Sequence, residues 1–285
     1  MIKKLYPDYK DRAITFSFDD GVNQDIRLVK LFNKYNLKCT FNFCGEKCQN
    51  RCFAIYTEKK STWDGSEESR QCFKGHEIAS HGLTHANLNE CTKAQMEEQI
   101  EKDIELLSKA FDCEIKGFVS AYGAYNDTVI EILKKNNIVY HRTTKTKDNY
   151  YLGDDFLQWA PGPHFAYYLT DDGKKYLNNF FTCEDELPCL SIWGHSFELS
   201  EMDCYSKDMW AGCDKRWEFM ENICKTVANR ENVWYPTNIE LFRYSGAMRK
   251  AEIGDTYIYN PTNTDLYFSV NGKNIKVKGN EKISI

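Results

Sequence analysis

Asp19 and Asp20 follow the strand-like run Ala13-Ile-Thr-Phe-Ser-Phe18 and precede Gly21, and further along the chain His81 and His85 lie four residues apart. One carboxylate and two imidazoles form a ligand set for a zinc-type divalent ion that keeps a position open for water. An open position is what separates a catalytic metal site from a closed structural one. The other aspartate is then free to handle protons. Taken singly, an aspartate doublet caps a turn and a histidine pair decorates a helix face. Together, after a strand and the loop Gly75-His76, they point to a catalytic metal site.

Such residues need a scaffold that brings distant segments to one face. The pattern along the chain alternates strand and helix, as expected of βα units around a parallel sheet or barrel, an α/β fold. Residues 13–18 read as the first strand, Asn23 as the cap of a helix to Tyr35 with Ile26, Val29 and Phe32 on its buried face, and Lys38–Phe43 as the second strand. Residues 45–75 are polar and read as an inserted loop. Thr92-Lys-Ala-Gln95 is a capping box opening an amphipathic helix through Met96, Ile100, Ile104, Leu107 and Phe111. A strand near 115–119, a helix from Asp127 to Asn136 and a strand at 138–141 continue the rhythm. Leu190–Trp193, a helix near 215–229, the strand 233–235 and a helix capped at Thr237 complete it. From Tyr257 to Ile285, strand residues alternate with turn signals at Asn260-Pro261, Asn271-Gly272 and Gly279-Asn280, a small antiparallel appendage. The expected organisation is a catalytic domain over 1–252 and a β appendage over 253–285.

In a barrel of βα units the chemistry gathers at the C-terminal ends of the strands. Asp19 and Asp20, Tyr122 and Gly123, and His195 all follow strands, so they should converge.

The 285 residues carry a net charge of −5, and basic residues occur only in short pairs or triplets, which argues against a nucleic-acid-binding surface. No run approaches membrane-spanning length. The start Met-Ile-Lys-Lys-Leu-Tyr-Pro-Asp lacks an apolar leader segment, so a cytoplasmic location is expected as the chain is written, or an extracellular one if a leader preceded Met1. The 12 cysteines then read as reduced thiols. Cys44, Cys48 and Cys52 are the one grouping that suggests a second metal or disulfide cluster, without the Cys-x-x-Cys spacing that would make it a strong signal. Oligomeric state is not legible.

The segments Thr15-Phe-Ser-Phe-Asp-Asp-Gly21, Gly75-His-Glu-Ile-Ala-Ser-His81 through His85, and Ile192-Trp-Gly-His195 resemble the polysaccharide deacetylase (NodB-homology, carbohydrate esterase 4) family over about residues 11–245. Ile192-Trp-Gly-His-Ser-Phe-Glu-Leu199 with Val233-Trp-Tyr-Pro-Thr-Asn238 is similar to its gellan-lyase-associated deacetylase-like branch. The resemblance implies a distorted (β/α) barrel and hydrolytic removal of acetyl groups from an N- or O-acetylated oligosaccharide or polysaccharide. It implies that Asp20, His81 and His85 bind the metal, usually zinc, that Asp19 is the general base and His195 the general acid, and that the Tyr122 backbone N–H helps stabilise the oxyanion.

Two departures from the family pattern stand out. The third motif ordinarily begins with an arginine that orients the base aspartate and continues through a proline, whereas Phe118-Val-Ser-Ala-Tyr-Gly123 has Val119 and Ala121 at those places. The tryptophan-aspartate motif that tunes the catalytic histidine has no counterpart closer than Asp154-Asp-Phe-Leu-Gln-Trp159. His164 is a further candidate for the site; Glu198, in the same loop as His195, could orient that histidine but reads more readily as a surface carboxylate, His76 reads as structural, and His141 as outside the site. The lost arginine keeps two other readings open, a hydrolase of another C–N bond (an amide or cyclic imide) and a sugar-binding pseudoenzyme.

Overall fold

The computed structural model describes residues 1–46, 67–200, 210 and 212–285. Among them, a seven-stranded parallel sheet forms the centre, with helices packed around it. The strand β2 (Arg12–Asp20), which pairs with three others, is buried along its whole length, as expected where both faces of a parallel sheet are covered. β1 (Ile2–Leu5) lies outside this sheet. β3 (Thr40–Phe43), β4 (Glu77–Ser80), β5 (Gly117–Val119) and β6 (Tyr140–Arg142) extend it in order on one side of β2, and β7 (Cys189–His195) lies on the other. β8 (Val233–Trp234) pairs the first residues of β2, Arg12 and Ala13, on the edge whose later part, from Ser17 onward, belongs to β3. The sheet thus curls as an open barrel, the expected fold class.

The helices follow the expected order. In α1 (Gln24–Lys34), Leu28, Val29 and Phe32 face the core, while Ile26 is exposed. Residues 47–66 of the expected inserted loop, with Cys48 and Cys52 of the cysteine grouping, lie outside the described residues; α2 (Glu67–Cys72) is the described part before β4. The long amphipathic helix α3 runs through Lys93–Glu97, a π turn at Glu98–Lys102 and Asp103–Phe111, and opens with the Thr92/Gln95 capping box. After its π turn, Asp103 reaches the sheet, where it accepts hydrogen bonds from Ser80 Oγ and the Gly45 amide. α4 (Asp127–Lys135), α5 (Asp171–Thr182), α6 (Arg216–Val227) and α7 (Asn238–Met248) follow, the last capped by Thr237 and Glu240.

The C-terminal strands are antiparallel. β9 (Glu252–Ile253), β10 (Tyr257–Tyr259) and β13 (Lys282–Ser284) form one small sheet. β11 (Leu266–Val270) and β12 (Lys273–Val277) form another with β1, so the N-terminal strand joins the C-terminal ones. Asn271 and Gly272 both take positive φ, 51° and 80°, as a two-residue hairpin turn requires. Leu241, Phe242 and Met248 of α7 share one apolar cluster with Ile258, Leu266 and Phe268, which docks the appendage.

Among the described residues no helix is long and apolar enough to cross a membrane. Cys39, Cys189 and Cys224 are buried thiols, and burial pushes those of Cys189 and Cys224 up to about 12.

Candidate active site

The sheet brings its chemical residues to one end. In register, Asp19 of β2 is flanked by Asn42 of β3 and His195 of β7. His81 follows β4 directly, and Tyr122 follows β5. Asp20 leaves the strand with φ 86°, and Gly21 continues the turn at φ 69°. A Cβ at Gly21 would lie 2.3 Å from Phe43 Cδ1, so both the left-handed backbone and the close approach require glycine there.

Asp20, His81 and His85 form a group whose ligand atoms all lie within 4.8 Å of one another. His81 Nε2 is 3.4 Å and His85 Nε2 3.3 Å from Asp20 Oδ1. Behind it, His81 Nδ1 is 2.8 Å from the Val119 carbonyl. A ring nitrogen donating there leaves Nε2 as the lone-pair donor of the neutral imidazole, the arrangement typical of metal-ligating histidines. Asp20 Oδ1 is buried without a hydrogen-bond partner. An orphaned carboxylate oxygen facing two imidazole nitrogens fits a divalent cation of the zinc type. Burial alone would raise the Asp20 carboxyl, but His195, His81 and His85 hold it far below the usual carboxylate range. Burial likewise works against a charged His81, yet the adjacent Asp20 carboxylate and the charge of Asp19 raise it.

Asp19 is held differently. Arg142 Nη2 donates to both of its oxygens, at 2.6 Å to Oδ1, and Asn42 Nδ2 adds a bond to Oδ1 at 2.7 Å. The guanidinium is fully buried and stacks on Trp193, 4.6 Å from the ring centre. His195 Nε2 faces both aspartates, 3.9 Å from Asp19 Oδ2 and from Asp20 Oδ2.

Behind His195 stands Glu198. Its Oε1 is 3.2 Å from His195 Nδ1 and its Oε2 2.9 Å from His164 Nε2. Glu198 is therefore buried between two imidazoles and is not the surface carboxylate that its sequence context suggests. The 3-10 turn Ser196–Leu199 accounts for this, since three residues per turn bring position 198 back beside position 195. These three side chains are a second group with ligand-type atoms within 4.8 Å, but each Glu198 oxygen engages its own imidazole, the geometry of a bridging ion pair. Burial opposes the charges on both partners. His164 and His195 nevertheless hold Glu198 down to about 2, and Glu198, Asp20 and Asp19 push His195 up to about 10.

Tyr122 is the exposed member, 64% accessible, with its ring 4.7 Å from that of His85. The remaining histidines lie elsewhere: His76 Nδ1 accepts from the Cys39 amide, and His141 bonds Ser120 and the Leu157 carbonyl. Asp154 and Asp155 bind Tyr151, the Leu157 amide and Gln158 rather than His195. Arg142 and Asn42 carry no local signal of this role in the sequence, and Glu198 could be read as orienting His195 but not as buried; the strand-end rule applied to residues 138–141 points at Arg142.

A model of the family described as polysaccharide deacetylase matches residues 7–141, which include Asp19, Asp20, His81 and His85. A curated peptidoglycan deacetylase from Helicobacter pylori is 26% identical over 122 residues, 43% of this chain and 37% of the relative's length. The match thus spans well under half of that relative. A structure from Mycobacterium smegmatis assigned as a polysaccharide deacetylase superposes with a TM-score of 0.59 at 16% identity, covering 87% of this chain and 94% of its own. The Puue allantoinase does so with a TM-score of 0.56 at 14% identity, covering 84% and 91%. At such identities the structural likenesses concern the fold alone. The family model and the curated relative, together with a barrel that sets these motif residues at one end, make the chain similar to the NodB-homology polysaccharide deacetylases and support that family for it.

Proposed function

We propose that the protein is a metal-dependent hydrolase that removes acetyl groups from N- or O-acetylated carbohydrate. The observation that carries this reading is the placement of Asp19: its carboxylate is clamped by Arg142 and Asn42 beside the Asp20, His81 and His85 group and faces His195 Nε2 at 3.9 Å.

In this reading Asp20, His81 and His85 hold a divalent metal, most simply zinc, which when bound supplies Lewis-acid polarisation of the acetyl carbonyl and a more acidic water. Asp19 takes the proton from the attacking water, its orientation fixed in advance by two donors. The backbone N–H of Tyr122 stabilises developing negative charge on the carbonyl oxygen. His195, its charged form favoured by Glu198, delivers a proton from Nε2 to the departing amine or alcohol. Base and acid approach the reacting centre from different strands, so one group need not serve both steps.

The test is acetate release by zinc-loaded protein from acetylated amino-sugar oligomers, acetylated xylan fragments and a simple aryl acetate, with Asp19→Asn as control. Release that disappears in the control supports the reading and begins to name the sugar. A protein that holds zinc and releases nothing from any of them would sink it.

A further inference from the structure

We infer that Arg142 does the work of the arginine missing from position 119, from one strand further along the sheet. The inference rests on the hydrolase reading and adds a positioning residue to it. Val119 and Arg142 are register partners, the last residues of β5 and β6. Register neighbours on adjacent parallel strands point to the same face, and the strands lie about 4.8 Å apart, a step that the long arginine side chain can cover. The charge that the family carries on β5 therefore sits here on the next strand, at the same rung and on the same face.

The alternation of neighbouring residues supports this placement. His141 and Ser120, each one position away in sequence, bond to one another at 2.8 Å on the opposite face. Arg142 alone is left to reach Asp19, across β5, β4 and β3 in the sheet order, which a curled sheet permits and a flat one would not.

The hydrogen bonding of Arg142 also distinguishes positioning from general structural support. A guanidinium carries five N–H donors that can be spread over several acceptors. Arg142 instead gives Nη2 to both oxygens of Asp19, while its buried Nε and Nη1 have no hydrogen-bond partner among the described residues. Trp193 holds the plane of the guanidinium from β7, so Asp19 is its one hydrogen-bonded partner there. Substitution of the third-motif arginine by valine has thus moved the orienting group without removing it, and the pseudoenzyme reading loses its main ground.

The experiment compares zinc-loaded wild type with Arg142→Leu, Arg142→Lys and the double variant Arg142→Leu/Val119→Arg. Acetate release, zinc content and the position of Asp19 in crystals are read for each. Arg142→Leu is expected to keep its zinc and lose turnover in kcat by roughly 10–100-fold, the usual cost of removing a group that orients a site residue, with KM little changed. Arg142→Lys, which keeps the charge and loses the planar fork, should fall between. The double variant should regain part of the loss because position 119 shares the rung. If Arg142→Leu fails to fold, the lysine and double variants carry the comparison. Full turnover in Arg142→Leu, or a zinc-loaded double variant with no recovery over the single one, would overturn the inference. If wild type releases no acetate, the hydrolase reading falls by itself, and the crystals decide on Arg142. An Asp19 carboxylate turned aside in Arg142→Leu and restored in the double variant supports it; an unmoved carboxylate overturns it.

Discussion

Glu198 Oε1 lies 3.2 Å from His195 Nδ1, inside a single 3-10 turn, so the carboxylate that governs this histidine comes from its own loop. The negative charge favours the imidazolium, which lies up at about 10. In Glu198→Gln that support is gone, the proton is held less tightly, and the alkaline limb of the activity profile should move to lower pH. Turnover should also fall by roughly 10–100-fold while zinc content stays constant. A pH–rate profile of the two proteins checks this, and an unmoved alkaline limb would separate Glu198 from the proton donor.

Asp20→Ala or His81→Ala should abolish zinc uptake, because each leaves only two ligands of the group. Asp19→Asn should bind zinc at wild-type stoichiometry and lose turnover. Metal analysis after dialysis, run beside acetate release, separates the two classes of variant.

Tyr122 lies at the open rim, exposed and packed edge-on against His85. Its ring offers a carbohydrate a face to stack on. Tyr122→Ala should raise KM several-fold and change unfolding free energy by no more than about 0.5 kcal/mol, as for an exposed side chain. Denaturant titration and steady-state kinetics on the same preparation test both halves.

Three buried acids predict the pH dependence of stability. Burial pushes Asp25 up to about 8, and Glu77 and Asp103 up to about 7. Well below their unfolded-chain values of 3.8 for the aspartates and 4.5 for the glutamate, each is protonated whether the chain is folded or not. As pH rises from about 4 toward 8, the unfolded chain ionises these groups first, so the contribution of these three acids to stability falls through that window and levels off above it. For Glu77, moving from 4.5 to about 7, the loss is about 3 kcal/mol. Glu77→Gln should flatten the decline between pH 4.5 and 7 by that order, measured from urea unfolding midpoints across the range. A variant whose stability falls as steeply as wild type would show that Glu77 ionises freely in the folded protein.

How far the site could be read from sequence depended on whether its members were close in the chain. Asp19 and Asp20 announce themselves as a doublet after a strand, and His81 and His85 as a pair, because contiguity is visible in a string of residues. Arg142 and Asn42 act on Asp19 only through strand register, which depends on pairing between segments far apart in the chain. Glu198 was visible three residues beyond His195, but its burial depends on His164 and on packing against α1, so composition alone favoured a surface position. The same limit applies to the fold. Capping boxes at Thr92 and Thr237 and the Asn271-Gly272 turn are local and were legible. The π turn in α3 and the pairing of β1 with β11 arise from tertiary contacts and were not.

That last pairing sets an order of assembly. Ile2 lies opposite Val270 and Leu5 opposite Tyr267, so this strand, made before the parallel sheet, has no partner until the chain has grown to residue 270. Until then its backbone donors and acceptors stay open, beside the apolar surface of Tyr6 that the same cluster later covers. The parallel sheet with its catalytic end can form earlier, from segments closer together in the chain. A growing chain would therefore assemble the strand ends that carry Asp19, Asp20, His81 and His85 before its clasp, and the β1–β11 pairing is the most non-local contact of the three sheets.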